Sequence, residues 1–432
     1  MADLIQPRVL KGFRDALPAN EIERALLVET LTKTFRSYGF VPIDTPALEY
    51  SEILLRKSDG ETEKQVFRFQ DNGGRDVALR FDLTVPFARF VAEHKDELYF
   101  PFKRYHVAKV WRGEKPQAGR YREFFQCDFD IVGSDSAAAD FEILSLMRDS
   151  LSAIGVEAVT VRLSHRGVFN RFLANLSLKE RSEDILRAVD KLAKAGEEEV
   201  RATVASFAGE EKAEKILAYV KGAPSGDFDE TLALMEEMAG GPDADTERLR
   251  DIRSLMRETG TQGSFVLDPS ITRGLDYYTG VVYETFLNDL PSIGSVCSGG
   301  RYDNLAGLYM KDRVPGVGSS IGLDRLMAGL EELNSSSVKA SFTEAAVFLQ
   351  DGADLARSVA LARELRKAGI ACEVFPEPKK MAQQYAWAEK KGIPFGILPA
   401  QNGAGWAIKN LSTRESFEAS SAAEAVSILR RT

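Results

Sequence analysis

The sequence predicts an α+β protein of two or three domains, and three observations carry that reading. Residues 64–134 run in short β-rich stretches joined by turns rather than by long helices, the pattern of an antiparallel sheet. Residues 166–260 are dominated by Ala, Glu and Lys at helical spacing and read as a helical insertion. Residues 344–432 alternate strand and helix patterns, which predicts a separate α/β domain with a mostly parallel sheet. A chain of 432 residues has room for this arrangement.

The elements follow in order. Asn20-Glu-Ile-Glu23 looks like a capping box, with Ile22, Leu26, Leu31, Phe35 and Tyr38 spaced for a helix that Gly39 ends. Residues 40–43 read as a strand and Thr45-Pro46 as a turn. Residues 65–70, 77–81, 103–111 and 122–132 read as strands, the first two separated by the turn Asp71-Asn-Gly-Gly74. Residues 137–154 return to helical spacing. Strands resume at 264–267 and 279–286, followed by a glycine-dense stretch at 298–307 and then 314–330. Residues 331–343 form a polar, Ser-rich linker. Beyond it, strands are expected at 345–349, 371–375, 395–398 and 407–410, and helices at 354–368, 380–391 and 422–431. The organisation expected is 1–165 and 261–330 as one interrupted core, 166–260 as insertion, and 344–432 as the last domain.

Composition narrows the class. Apolar residues make up 44% and charged residues 28%, which excludes a disordered or collagen-like chain. No apolar run reaches the roughly 18 residues that span a bilayer, and the N-terminus lacks a charged segment before an apolar one. A cytoplasmic protein with no membrane partner is expected. Cys127, Cys297 and Cys372 have no CxxC spacing, and His94, His106 and His165 are scattered, so neither disulfides nor a zinc site are expected. The net charge of −9 argues against an overall basic nucleic-acid binder. It is unevenly spread. Residues 180–258 hold 20 acidic against 12 basic side chains, whereas 101–125 hold seven basic against two acidic, and 340–432 hold 12 basic against 10 acidic.

Common catalytic templates are missing. There is no GxxxxGK[ST] phosphate loop, no GxSxG elbow and no kinase signature. Gly316-Val-Gly318 opens a GxG, but Ile321 breaks the dinucleotide fingerprint. The basic segment is more informative. Two strands flank a loop at 113–119. Alternation points Arg112 and Glu114 to one face of the first strand, and Arg122, Phe124 and Gln126 to one face of the second. An arginine can fork onto a phosphate, and a phenylalanine on the same surface can stack on a base.

These residues also carry a resemblance. Arg112-Gly-Glu114 and Arg120-Tyr-Arg-Glu-Phe124 resemble motif 2 of class II aminoacyl-tRNA synthetases. Leu79-Arg-Phe-Asp-Leu-Thr84, Arg273-Gly-Leu-Asp-Tyr-Tyr-Thr279 and Gly299-Gly-Arg-Tyr-Asp303 resemble elements of the histidyl-tRNA synthetase family. Gly318-Ser-Ser-Ile-Gly-Leu-Asp-Arg325 looks like motif 3. Tyr38-Gly-Phe40 through Thr45-Pro46-Ala-Leu-Glu49 looks like the dimer-forming motif 1. The elements stand in the family's order and span nearly the whole chain. The FDLT and QCDFD wording is similar to the eukaryotic-type branch, which some bacteria also carry. Asp82 and Asp130 stand where many bacterial members have Glu, and Leu83 where they have Gly.

The resemblance implies a class II antiparallel sheet with flanking helices and a C-terminal anticodon-binding domain. It implies activation of L-histidine with ATP and Mg²⁺ to histidyl-adenylate, then transfer to the 3′-terminal adenosine of histidine tRNA by a homodimer, with no zinc or organic cofactor. Arg273 and Arg112 are the implied catalytic arginines. Asp82, Thr84 and Gln126 are implied to hold the substrate's α-amino group, with Leu83 among the implied histidine-binding residues. Asp130, Tyr277, Tyr278 and Tyr302 are implied around its imidazole. Glu114, Phe124 and Arg325 join Arg112 on ATP, and Lys115, Gln117 and Arg120 meet the tRNA acceptor end. The related regulatory subunit of ATP phosphoribosyltransferase lacks an anticodon-binding domain and erodes the adenylate residues. The 340–432 domain, with Arg112, Arg273 and Arg325, argues against it. A synthetase-derived signalling module would be expected to carry an appendage that is not seen.

Overall fold

The structure is a computed structural model that describes residues 4–55, 61–117, 119–223, 225–272, 277–333, 340–350, 355–400 and 405–431. It forms two compact units. One comprises Met1–Arg14 and Leu27–Ser336, the other Asp15–Leu26 and Ser337–Thr432. Of the expected linker, 334–339 lie outside the described residues.

Helix α1 (Pro18–Ser37) begins two residues before the expected capping box, so Asn20 lies inside it. Pro18 suits that start, because the first helical N–H has no partner in any case. The helix ends as its sequence indicates. Gly39 takes φ +82°, and the Phe40 N–H donates to the Phe35 carbonyl at 3.1 Å, a Schellman closure.

In the first unit, β1 (Val41–Pro42) leads to β2 (Leu48–Tyr50), α2 (Ser51–Leu55), α3 (Glu61–Gln65), β3 (Arg68–Gln70) and β4 (Asp76–Leu79). Strands β2, β4 and β3 make a small antiparallel sheet. In its β3–β4 turn the Asp71 carboxylate accepts from the N–H groups of Gly73 and Arg75. Helix α4 (Thr84–Glu93) falls between the strands expected at 77–81 and 103–111, where a loop connection is expected. It buries Val85, Phe87, Ala88 and Val91 on one side, about 1.5–3 kcal/mol for each large side chain, which outweighs the β-leaning Val and Phe content.

The main sheet is built from β1, β5 (Phe102–Trp111), β6 (Glu123–Val132), β7 (Val159–His165), β8 (Phe265–Leu267), β9 (Val281–Leu287), β10 (Cys297–Arg301) and β11 (Gly316–Gly322). Its order is β1-β5-β6-β11-β10-β9-β7-β8. The centre is antiparallel, as expected, and the two edge pairs, β1–β5 and β7–β8, are parallel. Strand β7 escaped the sequence reading although Val159, Val161 and Leu163 alternate inward.

Alternation divides this sheet. Tyr105, Cys127, Phe129 and Ile131 face a large apolar core with Leu31, Phe35, Phe40 and residues of α5 (Ala137–Ala153). The insertion helices join the same core. They are α6 (Arg166–Asn175), α7 (Ser182–Val189), α8 (Leu192–Ala195), α9 (Glu197–Ala208), α10 (Glu210–Lys221), α11 (Phe228–Met238) and α12 (Ala244–Glu258). Asp227 caps α11, and Asp243 with Thr246 forms a capping box on α12. Helix α13 (Leu323–Glu332) follows β11 directly.

The second unit has a five-stranded sheet of β12 (Ala345–Val347), β13 (Cys372–Val374), β14 (Phe395–Pro399), β15 (Trp406–Asn410) and β16 (Ser416–Ala419), in the order β13-β12-β14-β15-β16. Helices α14 (Leu355–Lys367), α15 (Met381–Lys390) and α16 (Ala422–Arg431) accompany it. The sheet is mixed rather than mostly parallel: β13, β12 and β14 run parallel, and β15 and β16 antiparallel. The connections into β15 and β16 are too short for crossover helices, so those strands can only turn back.

Candidate active site

The other face of the main sheet is polar. The β5–β6 register sets Arg104 opposite Asp130, His106 opposite Asp128, Ala108 opposite Gln126 and Val110 opposite Phe124. On the next strand Gly316, Gly318, Ser320 and Gly322 share that face, and beyond it Ser298 and Gly300. Glycines therefore floor the region, and long side chains from β6 and the flanking segments rise around it.

One end is buried. Arg104 Nη2 lies 2.8 Å from Asp130 Oδ2, both side chains almost fully inaccessible. The Tyr302 hydroxyl donates to Asp130 Oδ1 at 2.5 Å. Burial raises the Asp130 carboxyl above its ordinary value, against the pull of Arg104 and the Tyr302 bond. Gly318 makes the carboxylate's place. A Cβ there would stand 1.8 Å from Asp130 Oδ1. Gly316 does the same for the Tyr302 ring, which a Cβ would meet at 2.5 Å. Tyr278 packs over Gly300, its ring centroid 4.7 Å from that of Tyr277. The Tyr277 hydroxyl is 3.5 Å from Asp82.

Asp82 lies between β4 and α4, and its carboxylate accepts from the Val85 N–H at 3.1 Å. Burial pushes its carboxyl up, while that bond and the Arg112 and Arg104 guanidiniums pull it down. Thr84 opens α4. The Leu83 side chain is core, clustered with Ala108, Val110 and Phe124, and its carbonyl accepts from Arg104 at 3.2 Å. Gln126 donates through Nε2 to the Ser320 hydroxyl at 2.7 Å, and its Oε1 is buried with no hydrogen-bond partner among the described residues. Burial raises the Asp128 carboxyl to about 7, with Arg104 opposing.

The other end is more open. Arg112 Nε donates to the Phe81 carbonyl at 2.9 Å, and its guanidinium carbon lies 5.2 Å from the Phe124 ring centroid. Glu114 is 4.0 Å from Arg112 and 3.5 Å from Arg120. Arg325, in the first turn of α13, donates to the Ser295 carbonyl at 2.7 Å. Burial lowers its pKa to about 10, helped by the charges of Arg120 and Arg112, so it stays protonated at neutral pH. Two guanidiniums on one carboxylate, with a third close enough to feel their charge, leave a net positive region suited to an anion. The loop beyond carries Lys115 and Gln117 exposed, closed by paired backbone bonds between Gln117 and Arg120 of 3.1 and 2.9 Å.

The fold thus brings Asp82, Thr84, Gln126, Asp130, Tyr277, Tyr278 and Tyr302 to one end of a single face, and Arg112, Glu114, Phe124, Arg120 and Arg325 to the other. Arg273 lies outside the described residues. Sequence reasoning passed over Arg104, Asp128 and Ser320. Arg104 shares the alternation of Arg112, but its weight comes from Asp130 on the neighbouring strand, which alternation alone does not reveal. It also missed Arg14, which spans Tyr121 (3.0 Å) and Asp324 (2.5 Å). His106 is packed, with Nε2 2.9 Å from Asp44, and burial lowers its pKa to about 4. Among the described residues no group of three or more His, Cys, Asp or Glu could hold a metal ion.

An antiparallel sheet with this hairpin, and an arginine opening the helix after β11, is the architecture of a class II aminoacyl-tRNA synthetase. Residues 12–326 match the family model described as histidyl-tRNA synthetase, and residues 347–431 that of an anticodon binding domain. The histidine–tRNA ligase of Treponema denticola is 66% identical over 402 residues, 92% of this chain and 90% of that protein. That of Treponema pallidum is 56% identical over 424 residues, 95% of each. The crystal structure of histidyl-tRNA synthetase from Nostoc sp. PCC 7120 aligns with TM-score 0.88 at 29% identity, over 99% of this chain and 100% of that one. The chain belongs to the histidyl-tRNA synthetase family.

Proposed function

We propose that the chain is a histidine–tRNA ligase whose two-ended sheet face divides the substrates: histidine at the buried carboxylate end, ATP at the arginine end. The observation that carries this is the Asp130–Tyr302–Arg104 cluster on the same face as Arg112 and Arg325, in a chain of this family. Imidazole offers one donor and one acceptor, which suits a carboxylate and phenols. Asp82, Thr84 and Gln126 take the α-ammonium. A site that commits buried polar groups in this way rejects isosteres lacking the partner groups.

In the reaction, a carboxylate oxygen of histidine attacks the α-phosphorus of ATP. The bond to the β-phosphate breaks, giving histidyl-adenylate and pyrophosphate. Nucleophile and phosphates are both anionic, so fixed cations must offset the charge that builds. Arg112 takes the α-phosphate and Arg325 the γ-phosphate end. Phe124 stacks on adenine, with Glu114 beside it. Arg273 is assigned the charge developing on the α-phosphate. ATP enters as its Mg²⁺ complex, the ion shielding phosphate charge as part of the substrate. The 3′-terminal adenosine hydroxyl of histidine tRNA then attacks the adenylate carbonyl and releases AMP. Lys115, Gln117 and Arg120 meet the acceptor end, and residues 347–431 take the anticodon. No side-chain nucleophile is needed.

A homodimer is proposed from the motif 1 resemblance. Strand β1 is a sheet edge, and Val41, Leu48 and Tyr50 nearby are exposed. Sedimentation equilibrium should give twice the chain mass. No described helix is long and apolar enough to cross a membrane, and the cytoplasm, where tRNA is charged, is the proposed location. The direct test is exchange of labelled pyrophosphate into ATP. Histidine should support it. Exchange with another amino acid but not with histidine would sink the assignment. Arg273→Ala should slow adenylation by orders of magnitude in a folded protein.

A further inference from the structure

Two protein groups grip Asp130, one at each carboxylate oxygen, and the two grips differ. The Tyr302 hydroxyl donates to Oδ1 at 2.5 Å. Arg104, opposite Asp130 across the β5–β6 pair, brings Nη2 to 2.8 Å from Oδ2. That second contact is one of charge, because Oδ2 is buried with no hydrogen-bond partner among the described residues. Arg104 Nη2 donates instead to the Leu83 carbonyl at 3.2 Å, and the guanidinium carbon lies 4.1 Å from the Phe87 ring centroid. The arginine neutralises the carboxylate without filling its acceptor position.

Stability does not account for this arrangement. Arg104 is wholly buried, and its Nε and Nη1 have no hydrogen-bond partner among the described residues. A guanidinium keeps its charge, so burying it with unmatched donors is costly. Apolar side chains of similar volume are often as stabilising as such a pair. The effect of Arg104 falls on Asp130. A carboxyl buried alone takes up a proton, and one of its oxygens then donates. Beside a fixed cation it stays ionised and only accepts.

We infer that Arg104 is a positioning residue that holds Asp130 as an acceptor-only carboxylate, with Oδ2 open to the ring N–H of the substrate imidazole. This rests on the reading that Asp130 meets the imidazole.

Asp82 and Asp128 also feel the Arg104 charge, so the test separates them from Asp130. Pyrophosphate exchange by the full-length protein, with histidine and ATP each varied, compares Arg104→Met, Asp130→Asn and the double variant. Arg104→Met should raise the histidine KM by roughly tenfold to a hundredfold, the worth of a hydrogen bond to a charged group. The ATP KM should stay within about twofold. The double variant should have the histidine KM of Asp130→Asn within about twofold, because Arg104 then has no carboxylate to hold. It leaves neither member of the pair buried as an unpaired charge, so this comparison stands even where Arg104→Met alone does not fold. A larger further rise in the double variant would place the effect of Arg104 on Asp82, Asp128 or packing and would overturn the inference. So would an unchanged histidine KM in Arg104→Met, or a parallel rise of both KM values. An unchanged histidine KM in Asp130→Asn would instead overturn the reading of Asp130, and the inference with it.

Discussion

The two ends of the polar sheet face are built on opposite plans. At the buried end each key group is held by another protein group: Asp130 by Arg104 and Tyr302, Gln126 by Ser320, Asp82 by the Val85 N–H. At the open end Arg112 and Arg120 lie 4.0 and 3.5 Å from Glu114, and Arg325 is near enough to feel the charge of all three, with positive charge left over. The first plan suits a small ligand that must be told from its isosteres, because a misfit leaves a buried polar group unpaired. The second suits a polyanion present at high charge, where fixed cations matter more than a close fit.

The largest effect should come from an arginine of the open end. Arg112→Ala is expected to lower the rate of adenylation about 10²–10³-fold, as loss of a transition-state charge contact does, read by single-turnover exchange. A smaller loss than the histidine KM change of any buried-end variant would invert the comparison. Next comes the glycine floor. Gly318→Ala puts a Cβ where the Asp130 carboxylate stands. It should raise the histidine KM about tenfold or more and cost about 1–3 kcal/mol of stability as overpacking, measured by denaturant titration. An unaltered histidine KM would mean that Asp130 has room to spare.

The smallest effect lies outside the site. His165 caps α6, accepting from the Gly167 N–H, and burial lowers its pKa to about 3, with Arg248 and Arg301 adding to the shift. The folded chain holds it neutral, while the unfolded chain protonates it near 6.5. Its contribution to stability is complete above that value and is lost as pH falls through the window toward 3. Between pH 7 and 5 the loss approaches about 2 kcal/mol. His165→Asn keeps the acceptor and should flatten the fall of Tm over that range. An equal fall in both proteins would assign the acid sensitivity elsewhere.

Much of this was legible in the sequence where a local rule acts alone. Gly39 closes α1, and the β5–β6 hairpin with its turn was visible from alternation and charge. The C-terminal strands and helices were visible except β16, and the last helix at 422–431 was among them. Legibility failed where packing overrides pattern. Helix α4 sits in β-leaning sequence and forms because one face meets a core. β16 is too short and polar to stand out. The site divides along the same line. Motif residues such as Arg112, Phe124 and Asp130 were readable by type and position. Arg104, Asp128 and Ser320 matter through partners on other strands, and register is not printed in a single strand's sequence.

The account turns on the division of labour between the two ends, and one experiment addresses it. Asp130→Asn and Arg325→Ala would be compared in the same pyrophosphate exchange assay, with histidine and ATP each varied. Asp130→Asn should raise the histidine KM by about tenfold or more, the cost of a buried charged hydrogen-bond partner, and leave the ATP KM unchanged. Arg325→Ala should do the reverse. If both KM values move together in either folded variant, the two ends do not read separate substrates and the account is wrong.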